Sequence, residues 1–177
     1  AYEILIENDG NNFIYAPLVN YADHTFGVCK KMLDDKNAIM GLGDGGAHVG
    51  FILDAGYPTW LISYWSVKQK AYSMEETVRR LTSDTANAAG LNDRGLLKVG
   101  LKADINIIDW ENVGSSDPFM TQDLPAGGKR LMQLTKGYVT TIVSGKVTYK
   151  NGEFTKERPG TVVKSVKDEE KTLEFIN

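Results

Sequence analysis

Asp44 and His48 are the side chains of this sequence whose surroundings best suit chemistry. They stand four residues apart in Gly41-Leu42-Gly43-Asp44-Gly45-Gly46-Ala47-His48. A short apolar run, residues 38–42, leads into them and reads as a buried strand. In parallel α/β folds chemistry gathers at the C-terminal ends of strands, where this order of residues puts Asp44. A carboxylate at such a mouth can ligate a metal, or take a proton from water and return it to a leaving nitrogen. Asp-Gly-Gly is also ordinary turn chemistry, and Asp is a common helix N-cap. A phosphate-cradling loop fits poorly, because the Gly-x-x-x-x-Gly-Lys-Ser/Thr pattern is missing. His48 on its own reads as a polar loop residue.

The supply of metal ligands is thin: two histidines, His24 and His48, and one cysteine, Cys29. A catalytic zinc draws three or more His, Cys or carboxylate ligands, usually from different strands. This chain alone is therefore expected to hold no zinc tightly. His24 precedes a helical run and reads as a surface or capping residue. Cys29 lies on an apolar stripe with Phe26, Val28, Met32 and Leu33, in a helix expected over residues 25–34. Cysteines in such a stripe are inert as nucleophiles. A lone cysteine makes no internal disulfide, which points to a reducing, cytoplasmic setting. The aromatic residues Tyr57, Trp60, Tyr64 and Trp65 read as core.

Several elements are needed to position these groups. Residues 2–8 suit a helix capped at Gly10, with a strand as the alternative. Residues 13–16 read as a buried strand ended by Pro17. Ser73 and Glu76 fit a capping box opening a helix whose buried face is Met74, Val78, Leu81 and Thr82, with Gly90 as its stop. Two strands alternating with helices imply parallel pairing by right-handed crossovers. Two such strands leave bare edges, so partner strands are expected from elsewhere.

A second style begins at Gly95. Leu96-Leu97 and residues 103–109 read as strand. Residues 138–143 and 146–150 form a hairpin across Ser144-Gly145, and Asn151-Gly152 offers a further turn. Residues 111–137 form a long connector. Three units follow: 1–91, 92–163, and a charged tail at 164–177.

Composition limits the function classes. With 42% hydrophobic and 24% charged residues the chain is an ordinary globular sequence. No apolar run is long enough for a membrane span. Residues 1–8 lack the basic start of a signal peptide, and the missing initiator Met suits either cleavage or a start inside a longer chain. The net charge is −3 and the basic residues are dispersed, so no nucleic-acid partner is expected.

Four blocks in this order resemble the amidohydrolase superfamily of TIM-barrel metal hydrolases. Residues 41–48 resemble the end of its eighth barrel strand. Leu81-Thr82-Ser83-Asp84-Thr85-Ala86-Asn87-Ala88-Ala89-Gly90-Leu91 resembles the helix that follows, residues 95–109 the return into the small β domain, and Val143-Ser144-Gly145-Lys146-Val147 a hairpin near the chain end. Asp123-Leu124-Pro125-Ala126-Gly127-Gly128 sharpens the likeness toward N-acyl-D-amino-acid deacylases. The resemblance implies an α/β fold: the last strand–helix units of a barrel, then part of a small β-sandwich. It implies hydrolysis of a non-peptide amide C–N bond of a small molecule, with zinc polarising the carbonyl in the intact enzyme. Asp44 would be acid/base and metal contact there, and His48 would meet substrate. The superfamily's His-x-His pair, its bridging ligand and its two later histidines are absent from these residues. The resemblance thus implies a C-terminal portion, inactive alone, joined either to an N-terminal part or to further copies of itself. The alternative is a non-catalytic self-associating subunit or a metal-free binding module.

Overall fold

The computed structural model describes residues 1–16, 19–21, 23–41 and 47–163. The first half is helical. α1 (Tyr2–Gly10) takes up the helical reading of residues 2–8, although Glu7, Asn8 and Asp9 leave helical backbone angles and none of its residues is buried. The strands expected at residues 13–16 and 38–42 are absent from the described residues there, and Leu42 lies outside them. Phe13, Ile14 and Tyr15 are exposed. A strand persists only where another backbone answers its N–H and C=O groups. Every ladder among the described residues is antiparallel and lies beyond residue 104. The expected parallel pairing is therefore not made.

α2 (Gly27–Asp34) follows the apolar stripe in part. Phe26, Cys29 and Leu33 pack inward, whereas Val28 and Met32 are each 44% exposed. α3 (Tyr57–Trp60) runs straight into a π-helical stretch, Leu61–Lys68. Leu61, Trp65 and Tyr72 form the buried centre, with Phe26, Trp60, Tyr64, Met40 and Leu81 around it. Trp60 and Tyr64 stack with ring centres 4.6 Å apart, and Phe26 meets both edge-on. Burial of each large apolar side chain in such a centre contributes about 2 kcal/mol. Trp60, Tyr64 and Trp65 are core as expected, whereas Tyr57 is half-buried and outside that centre.

α4 (Met74–Leu81) starts at Ser73, whose Oγ accepts the Glu76 N–H at 3.1 Å. The reciprocal half of the capping box is not formed, because the Glu76 carboxylate pairs with Arg79 and Arg80 instead. The buried face is also rotated from the expected one. Thr77 is fully buried, its hydroxyl donating to the Ser73 carbonyl at 2.8 Å, while Met74 and Val78 are exposed. A hydroxyl satisfied inside its own helix can be buried at little cost. The backbone breaks at Thr82, α5 (Ser83–Ala88) follows, and Gly90 ends it with a positive φ of 70°.

The second half is antiparallel. β1 (Ile105–Ile108), β6 (Tyr138–Val143), β7 (Lys146–Lys150) and β8 (Glu153–Phe154) make one sheet in the order β1-β6-β7-β8. Ser144 and Gly145 take φ of 50° and 78°, and Asn151 and Gly152 take 50° and 83°. Two consecutive positive φ values match the tight hairpin turn whose twist suits flanking strands. Leu96 and Leu97 are exposed and not in a strand, contrary to expectation. The long connector is organised rather than loose. β2 (Gly114–Ser115) pairs with β5 (Thr135–Lys136), and β3 (Phe119–Leu124) pairs with β4 (Gly128–Met132) as a hairpin. Thr59 and Tyr138 share a hydroxyl hydrogen bond of 2.8 Å that ties α3 to the sheet. Among the described residues no helix is long and apolar enough to cross a membrane.

Candidate functional site

Asp44 lies outside the described residues, as does most of the glycine-rich turn around it. Beyond Gly41 the described chain resumes at Ala47. His48 sits at φ 49°, a left-handed conformation that few non-glycine residues adopt. Its carbonyl accepts two N–H groups, from Phe51 at 2.9 Å and Ile52 at 3.1 Å, which closes a tight turn. The imidazole is exposed and stacks on Phe51, ring centres 5.0 Å apart and planes 23° off parallel. Phe51 is itself 70% exposed. The pair therefore presents an exposed aromatic shelf with a polar edge beside the turn.

This shelf is braced by the β unit. The Leu131 N–H of β4 donates to the Val49 carbonyl at 2.8 Å. Nothing in the sequence pointed to Leu131, because the contact joins backbone groups far apart in the chain and leaves no side-chain signature. The structure thus brings His48 together with Phe51 and the edge of β4.

His24 is elsewhere. It is exposed, at φ 57°, edge-on to Tyr21, in keeping with a surface residue. Cys29 is a free thiol packed against the core, its S–H directed at the Asn20 carbonyl. Among the described residues no three or more His, Cys, Asp or Glu groups gather closely enough to hold a metal ion. The described residues therefore do not by themselves fit a zinc site.

The strongest electrostatic perturbation lies at a structural joint. The buried Tyr72 donates its hydroxyl to Asp34 at 2.9 Å, and Lys30 and Arg80 lie 4.6 and 4.5 Å from the centre of its ring. Burial, then the bond to Asp34, push the Tyr72 hydroxyl up to about 12. Hydrogen bonds from Lys30 and then Tyr72 hold the Asp34 carboxyl below its usual range. These groups clamp α2 onto α4. Its role is packing.

Comparison with known proteins adds the decisive observation. The model of the Amidohydrolase family matches residues 17–149, well over half of the chain. The chain belongs to the amidohydrolase family. The amidohydrolase match contains the whole of residues 41–48, the helical core and most of the β unit. A dihydroorotase of Lactobacillus acidophilus is 33% identical over 89 residues, which cover 48% of this chain and 20% of that protein. An N-acyl-D-aspartate deacylase of Alcaligenes xylosoxydans xylosoxydans is 28% identical over 96 residues, covering 54% of this chain and 18% of that one. Two solved D-aminoacylase structures align at 22% identity with a TM-score of 0.43, over 57% of this chain and 19% of theirs. One of them is described through its binuclear metal center. The chain thus spans about a fifth of the length of the curated relatives it matches.

Proposed function

We propose that this chain is the C-terminal portion of a metal-dependent amidohydrolase that hydrolyses a non-peptide amide C–N bond of an N-acyl-D-amino acid. The observation that carries the reading is the family match across Gly41-Leu42-Gly43-Asp44-Gly45-Gly46-Ala47-His48. The deacylase relative supports the substrate class. Asp44 takes the proton of the attacking water and delivers it to the leaving nitrogen. His48, on its shelf with Phe51, contacts the substrate. Zinc would be the metal of this reading, with Asp44 among the residues that would hold it, and it would supply polarisation of the amide carbonyl. The remaining ligands would come from outside this chain.

In this reading residues 1–91 contribute the last strand–helix units of a TIM-like barrel, 92–163 part of a small β-sandwich, and 164–177 a charged tail. Exposed apolar residues on both halves support a missing cover: Tyr2, Ile6 and Tyr15 on one, Ile107, Val139 and Tyr149 on the other. A lone chain of this kind is inactive, completed by an N-terminal part or by association, and the single cysteine fits a cytoplasmic enzyme.

The dihydroorotase likeness favours a second reading, with dihydroorotate as substrate. The full-length protein should be assayed for amine release from N-acetyl-D-amino acids and their L-forms, and for ring opening of dihydroorotate to its ureido acid. Turnover confined to D-forms is expected. Turnover of dihydroorotate alone would replace the substrate class, and turnover of none would remove the hydrolase reading.

A further inference from the structure

Both ends of the segment that follows His48 touch one strand line of the β unit. β4 has two edges. Its inner edge is laddered to β3, with Arg130 opposite Thr121 and Leu131 opposite Met120. The Leu131 N–H turns the other way and donates to the Val49 carbonyl at 2.8 Å. Just beyond the strand, Gln133 reaches the far end of the same segment. A Cβ placed on Gly56 would lie 3.0 Å from Gln133 Oε1, so glycine there lets the two meet. Gln133 is itself anchored, its Nε2 donating to the Ser116 carbonyl at 2.8 Å.

The hairpin behind this edge carries an ion pair across its strands. Arg130 grips Asp123 across it through two nitrogens, Nε at 2.7 Å and Nη2. Two-pronged pairs of this kind fix geometry as well as charge. By contrast, the turn at residues 47–51 is exposed throughout and has no burial of its own to hold it. An ordered strand edge supplies what that turn lacks, since β4 has already lost its conformational entropy to β3.

We propose that the outer edge of β4 is a positioning strap, in which Leu131 on Val49 and Gln133 on Gly56 fix the segment after Asp44 and set the stance of His48 toward substrate. The substrate half of this statement rests on the function proposed above. The strap itself rests on the geometry. Leu131 and Gln133 are positioning residues that act through His48.

Leu131→Pro tests it in the full-length enzyme. Proline removes the N–H that donates to Val49, and strand edges with an outward N–H tolerate it. Leu131→Ala keeps that N–H and is the control. Hydrogen exchange at Phe51 and Ile52, whose amides close the turn on His48, should quicken at least ~10-fold in Leu131→Pro with β6 and β7 unchanged. KM for an N-acetyl-D-amino acid should rise about 10-fold with kcat within about twofold, because misplacement weakens substrate contact before chemistry. Leu131→Ala should match the parent in both readouts. Should the proline variant fail to fold, Gln133→Ala carries the test, with exchange expected to quicken about threefold at residues 54–56. Unchanged exchange in the folded variants would overturn the strap. Quickened exchange with unchanged KM and kcat would overturn its positioning role. Quickened exchange in a protein that cleaves no N-acyl-D-amino acid would leave the strap standing and remove the substrate reading.

Discussion

Gly137→Ala should destabilise the β unit far more than an alanine at Gly152, another left-handed glycine. Gly137 joins β5 to β6 at φ 87°. A Cβ there would lie 2.6 Å from Val113 Cα and 2.9 Å from Val113 N, both backbone atoms with no side-chain freedom to yield. The Gly137 carbonyl also accepts the Asp109 N–H at 2.7 Å, so the glycine cannot retreat without loosening the end of β1. Two costs add. The left-handed backbone costs a non-glycine residue about 1 kcal/mol. Forcing the two backbones apart costs roughly 2–3 kcal/mol more, as overpacking does elsewhere. Gly152 supplies the internal control. It has φ 83°, but an added Cβ would meet nothing within 4 Å, so Gly152→Ala carries only the first cost. For a chain of this size each kcal/mol lowers Tm by about 2–4 °C. Circular dichroism melts should therefore place Gly137→Ala about 6–16 °C below the parent, and Gly152→Ala only about 2–4 °C below it. Equal shifts in the two variants would refute the close approach of Val113 to Gly137.

Leu61→Ala empties the centre of the aromatic cluster and should cost about 3 kcal/mol in chemical denaturation, with the tryptophan emission of Trp60 and Trp65 shifted toward that of exposed indole. Tyr72 should make stability fall at high pH. Its hydroxyl loses a proton near 12 when folded and near 10 in the ordinary state, so the neutral form's contribution is whole below pH 10 and lost as pH rises to about 12. A titration of unfolding free energy should show that loss, on the order of 2 kcal/mol, and Tyr72→Phe should flatten it. Asp34 works in the opposite sense, its contribution fading as acid protonates the carboxylate.

What the sequence made legible was local. The Ser73 cap, the helix of α2 and the two left-handed turns at Ser144-Gly145 and Asn151-Gly152 each depend on residues within one turn of one another. Long-range pairing was hidden. Residues 13–16 and 38–41 are apolar enough for strands, yet no described backbone answers them. The hairpin of β3 and β4 escaped notice because Phe119-Met120-Thr121-Gln122-Asp123-Leu124 and Gly128-Lys129-Arg130-Leu131-Met132 lack a run of β-branched residues. The buried face of α4 was misread because Thr77 satisfies its own hydroxyl on the Ser73 carbonyl. The glycine setting singles out Asp44 and His48 as candidates, and Asp44 lies outside the described residues. Leu131 and Gln133 carry no such signal, since their contacts with Val49 and Gly56 are a backbone amide bond and a long-range approach.

The central claim is that Asp44 is the acid/base of an amide hydrolysis. The most direct test is kcat of Asp44→Asn in the full-length enzyme, on an N-acetyl-D-amino acid, with bound metal and Tm measured alongside. A fall in kcat of roughly 10²–10⁴-fold with the melt unchanged is expected, the range a positioned proton-transfer group contributes. A folded variant that keeps nearly the parent rate would contradict the account.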